Sequence, residues 1–94
     1  MATLADQIRQ ENAEKFEAIK QELTDKVVND IRSYGESKVN TFTDEKGIGH
    51  HNIYGWYVNQ SFRIPVKEHF EALGFVVTEC ITPRGSHIGY RITL

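Results

Sequence analysis

The chain reads as an α+β protein: a long amphipathic N-terminal helix followed by a small, mainly antiparallel sheet with one short helix, in the order β-β-α-β-β. Three observations carry that reading. Apolar residues recur every three or four positions from Phe16 to Tyr34, alternating apolar and polar residues follow Gly35, and Pro65 and Gly74 bracket one short apolar-periodic segment. The boundary divides the chain into residues 1–34, a candidate oligomerisation element, and residues 35–94, a small α+β unit with a C-terminal hairpin.

The helix is expected from about Thr3 to Ser33. Thr3 and Asp6 form a shortened capping box, with Asp in place of the longer Glu or Gln. Leu4, Ile8, Phe16, Ile19, Leu23, Val27, Ile31 and Tyr34 supply the apolar positions, and from Phe16 onward they share one stripe. Only Ala13 lies on the stripe between Ile8 and Phe16, which leaves the first turns thinly packed. Glu, Lys and Gln fill the other faces, with pairs such as Glu22 and Lys26 in supporting positions. Gly35 supplies the stop.

Such a helix runs on the order of 45 Å at 1.5 Å per residue, against a radius of gyration of about 12 Å for a compact chain of this size. It is therefore expected to project from its domain. An exposed stripe of Phe16, Ile19, Leu23, Val27 and Ile31 calls for cover, and the same helix of another copy is the simplest cover, making the protein a homo-oligomer. A break near Glu11 and Asn12, folding the first segment back, is the alternative.

Beyond Gly35, Lys38–Thr43 is expected as a strand with Val39 and Thr41 on one face and Asn40 and Phe42 on the other. Asp44–Asn52 is a polar, glycine-bearing loop. Ile53–Val58 is aromatic and β-prone. Ile64–Gly74 is a short helix burying Val66, Phe70 and Leu73. Phe75–Thr82 and Ile88–Leu94 are strands joined by a turn at Pro83–Ser86, with Ile88, Tyr90, Ile92 and Leu94 alternating along the last.

Composition narrows the function classes. The 94 residues are 39% hydrophobic and 26% charged, with net charge −2. That balance is globular, and it disfavours a protein built mainly to grip phosphate backbones. No apolar run suits a bilayer, so no membrane partner is expected. The first residues lack the pattern of a signal peptide, and Cys80 is the only cysteine, pointing to a reducing, cytoplasmic setting.

Chemistry is sparse. No phosphate loop, metal-binding cysteine pair, zinc-protease helix or nucleophile elbow is present, so neither a catalytic residue nor a cofactor is assigned. His50 and His51 are adjacent, and neighbours on an extended segment point to opposite faces, which disfavours a shared metal. Cys80 falls mid-strand and reads as a packed residue. The segment Gly47–Tyr57 concentrates aromatic residues, histidines and glycines. There His50, His51, Tyr54, Trp56 and Tyr57 are candidates for a recognition surface, with Arg84, His87 and Arg91 as candidate cations beside it. The same residues admit a plainer reading in which Tyr54, Trp56 and Val58 face the core. A host protein or a small anionic ligand is the expected partner, ahead of nucleic acid.

Two resemblances bear on the C-terminal third. Phe70-Glu71-Ala72-Leu73-Gly74-Phe75-Val76-Val77, followed by a hairpin ending Tyr90-Arg91-Ile92-Thr93-Leu94, resembles the end of small tailed-phage and prophage accessory proteins, many of which carry a long charged N-terminal helix. The resemblance implies a binding or counter-defence role inside a bacterial host. The same residues look like a recognition helix and wing of a winged-helix DNA-binding protein, which would turn Lys67 and His69 toward DNA and set Arg84 and His87 on phosphates.

Overall fold

The computed structural model describes residues 3–42, 48–50, 55–85 and 87–94, the side chains of Phe42 and His87 excepted. Helix α1 spans Leu4–Tyr34, strands β1 Glu36–Phe42, β2 Gly49–His50 and β3 Trp56–Asn59. A single 3₁₀ turn over Gln60–Phe62 leads into helix α2, Arg63–Ala72, and strands β4, Val76–Ile81, and β5, His87–Thr93, complete the chain. The α+β class is therefore as the sequence predicts.

The helix is one continuous element, without a break at Glu11 or Asn12. Its start is the expected capping box: the Thr3 hydroxyl accepts from the Asp6 N–H at 3.1 Å, and the Asp6 carboxylate accepts from the Thr3 N–H at 3.2 Å. Those bonds hold the Asp6 carboxyl below its ordinary pKa, the Thr3 N–H contributing most. At the other end Gly35 takes φ +86°, and its N–H returns to the Ile31 carbonyl at 2.8 Å.

The sheet has five strands in the order β2-β3-β1-β5-β4. It is mixed: β1 pairs antiparallel with β5 but parallel with β3, through Val39 opposite Trp56 and Thr41 opposite Val58. The extra strand relative to the expected β-β-α-β-β order is β2, a two-residue piece within the segment read as loop. It lies beyond β3, at the edge of the sheet, and pairs antiparallel with it.

Register assigns the faces. Ser37, Val39 and Thr41 share one face with Trp56, Val58, Val77, Tyr90 and Ile92. Both helices cover it. Phe16, Leu23, Val27 and Ile31 of α1 and Val66 and Phe70 of α2 join Val39, Val58, Phe62, Tyr90 and Ile92 in one core. The opposite face carries Lys38, Asn40, Tyr57, Thr78, Cys80, Gly89 and Arg91. Gly89 is required there: at φ +155° its Cβ would run into the Val39 carbonyl and Asn40.

This packing corrects the expectation for the helical stripe. Phe16, Leu23, Val27 and Ile31 are buried in the chain's own core and Ile19 is packed against it, so they do not form an exposed interface between copies. The sheet has one apolar face to cover, and the stripe of α1, with Val66 and Phe70 of α2, covers it. Residues 1–34 and 35–94 thus share a single core, and Tyr34/Gly35 marks the end of an element. The helix nonetheless defines the shape: 31 residues at about 1.5 Å each match a longest dimension of 45 Å, and the radius of gyration is 13.3 Å.

One further core assignment changes. Leu73 is 51% exposed, because α2 ends at Ala72 and the following Gly74, at φ +93°, turns the chain toward β4. Of the alternating apolar residues of β5, Tyr90 and Ile92 are buried, whereas Ile88 and Leu94 are exposed.

Candidate functional site

The strongest concentration of polar and aromatic groups forms where α1 passes the β2–β3 edge. Lys26 and Asp30, four residues apart, occupy the flank of α1 that looks toward this edge. Trp56 opens β3 on the helix-covered face, half-buried against the core. Its indole N–H donates to the Asp30 carboxylate at 2.7 Å, and the Ser37 hydroxyl donates to the same oxygen at 3.1 Å. A carboxylate accepting two such bonds is a firm anchor, each charge-assisted bond exceeding a neutral one. The ring is fixed on two further sides. Lys26 places its ammonium 4.6 Å from the ring centroid, and the His50 imidazole meets the ring edge-on, 4.9 Å between centroids.

Next to this cluster lies an open cleft of about 490 Å³, lined by Asp30, Tyr34, Glu36, Ser37, Lys38, His50 and Gly55. Lys38 points from the uncovered face of β1, and Glu36 on that face is held by Arg91 at 3.6 Å. Two readings of Trp56, core residue and recognition residue, turn out to describe different parts of one side chain: it packs on the core while held beside the cleft.

The other predicted site residues are dispersed. Tyr57 alternates to the uncovered face, where its ring lies across Gly49 of β2 in the space a Cβ there would enter. Arg91 is also on that face, opposite Lys38. Arg84 is exposed in the turn between β4 and β5, on the far side of the sheet from β2 and near the end of β1 opposite the cleft. The structure does not bring it to the aromatic cluster. His51 and Tyr54 lie outside the described residues, as does the side chain of His87.

Sequence reading missed Lys26, Asp30, Tyr34 and Ser37. Lys26 and Asp30 pass in the sequence for the solvated face of a helix, and only the parallel pairing of β1 with β3 puts Trp56 beneath them. The winged-helix reading turned His69 outward; in the structure it packs against Phe16, with ring centroids 5.8 Å apart, and contacts Thr24 at 2.7 Å. The Thr24 hydroxyl gives its one proton to the Lys20 carbonyl at 2.7 Å, so His69 Nε2 must be the donor to Thr24. Burial first, then the nearby Lys20 charge, lower the His69 pKa, with Glu17 pulling the other way.

Among the described residues no group of three or more His, Cys, Asp or Glu side chains is placed to hold a metal ion, and no helix is long and apolar enough to cross a membrane. No family model, curated protein or solved structure matches this chain.

Proposed function

We propose that this protein is a non-enzymatic binding module that meets its partner at the β2–β3 edge, around Trp56. One observation carries the reading: Asp30 clamps the Trp56 indole, 2.7 Å away, beside an open cleft whose lining includes Lys38 and His50. An aromatic ring already held in place loses little freedom when a partner docks, which is the property that makes tryptophan an effective anchor. One oxygen of Asp30 accepts from both Trp56 and Ser37, and Glu36 is paired with Arg91. Lys38, His50 and Tyr34 are the donor-bearing side chains of the cleft, with the Lys26 ammonium nearby. Those groups favour an anionic partner, either a small molecule or an acidic patch on a host protein. The phage-like layout of the C-terminal third suggests an accessory or counter-defence setting for that binding.

Native mass spectrometry of protein purified from cells tests this proposal, comparing wild type with the charge-reversed Lys38→Glu. The expected result is a retained small molecule or a co-purified polypeptide on the wild type, lost in a Lys38→Glu variant whose circular dichroism is unchanged. The same species on both proteins, or none on either, would overturn the reading.

A further inference from the structure

Antiparallel pairing of β1 with β5 sets Lys38 directly opposite Arg91 on the uncovered face of the sheet. Like charges so placed repel one another across the strands. Glu36, two positions before Lys38 on the same face, reaches Arg91 at 3.6 Å. Lys38 forms no ion pair among the described residues. Thr78 of β4 flanks Arg91 on its other side and is exposed. Adjacent strands thus present an ammonium, a guanidinium and a hydroxyl in one row, about 4.8 Å from strand to strand. Lys38 and Glu36 also line the open cleft of about 490 Å³ that reaches His50, a volume within the range of small-molecule sites, about 300–1,000 Å³.

We propose that this row is the phosphate subsite of the cleft: a small phosphomonoester bridges Lys38 and Arg91 with its phosphoryl group and lays the rest of its length in the cleft. This assignment rests on the cleft beside Trp56 being the binding site, and names the class of ligand it takes. Charge and shape both select that class. A carboxylate arriving at Arg91 would only replace the Glu36 carboxylate, one like group for another. A phosphomonoester carries about −1.5 to −2 charge at pH 7 and has three strong acceptor oxygens. Two of them suit the guanidinium fork and a third is left for the Lys38 ammonium. Such a ligand displaces Glu36 and relieves the repulsion between the two cations. A phosphodiester polymer fits less well, because it is gripped by a track of cations. The described residues of this face offer one pair, on a chain of net charge −2.

Amide chemical-shift titrations with phenyl phosphate and with benzoate test the subsite, since the two probes share a ring and differ in the anionic head. Phenyl phosphate is expected to bind the wild type with a Kd of about 1 mM or below, and benzoate about fivefold more weakly. The largest shifts should fall at Lys38, Thr78 and Arg91. Arg91→Gln should weaken phenyl phosphate binding about fivefold. Glu36→Gln, which removes the competing carboxylate, should strengthen it about twofold. Both side chains are about half exposed, and circular dichroism checks that both variants fold. Equal affinity for the two probes, wild-type affinity in Arg91→Gln, weaker binding by Glu36→Gln or tighter binding of a single-stranded oligonucleotide would overturn the assignment. Native mass spectrometry separates the two levels. A species lost from Lys38→Glu but kept by Arg91→Gln leaves the cleft as the binding site and sinks the phosphate subsite alone.

Discussion

The two halves of α1 belong to one unbroken helix and have opposite fates. In the second half Phe16, Leu23, Val27 and Ile31 are buried, Leu23 and Val27 with no exposure at all. From Leu4 to Lys15 the helix continues without interruption, yet Leu4 is 72% and Ile8 47% exposed. The second half lies across the sheet; the first extends along the long axis of the molecule and is held by local means, the Thr3–Asp6 box and the Arg9–Asp6 pair at 2.9 Å. A helix can thus be continuous in hydrogen bonding and discontinuous in what stabilises it, since propensity and capping sustain the one part and tertiary packing the other.

Truncation should expose that difference most plainly. Leu23→Ala removes a fully buried side chain between α1 and the sheet and is expected to cost about 3 kcal/mol, seen as a lower urea midpoint with an unchanged slope. A loss below about 1 kcal/mol would mean the helix is not seated as described. His69, where α2 meets the buried half at Phe16 and Thr24, should make stability depend on pH. Its folded pKa is lowered by burial, so the unfolded chain takes up the proton first. Its contribution is complete above the ordinary value of 6.5 and is lost as pH falls through the lowered folded value. His69→Gln, which keeps a donor for Thr24, should flatten that acidic decline in urea titrations; an unchanged pH profile would remove His69 as its source. The smallest effect belongs to the exposed half. Ile8→Ser should shift global stability by less than about 0.5 kcal/mol, and hydrogen exchange should show the amides of the first turns opening far more readily than those around Leu23. Equal protection along the helix would erase the contrast between the halves.

The stripe was legible in the sequence because helical periodicity is local, but its partner was not. Phe16, Leu23, Val27 and Ile31 could be identified as a face needing cover, whereas whether a sheet or another copy covered it depended on contacts distant in the chain. Leu73 fitted the α2 stripe by spacing and escaped burial because the helix had already ended. The candidate site divided the same way. Trp56 and His50 could be found by composition, and they do meet. Arg84 could not be excluded, since distance across a sheet depends on strand order, and Asp30 could not be included, since nothing local distinguishes it from Asp25.

By itself, then, the sequence determined the α+β class, the limits of α1 from Thr3 to Gly35, the faces of β1 and the stop of α2 at Gly74. Each follows from interactions within a few residues: a cap, a glycine at positive φ, an alternation. The tertiary structure alone decided that α1 covers its own sheet, that β1 runs parallel to β3, and that Asp30 clamps Trp56. Those outcomes depend on which distant surfaces match in shape and polarity, and on the chain entropy of bringing them together.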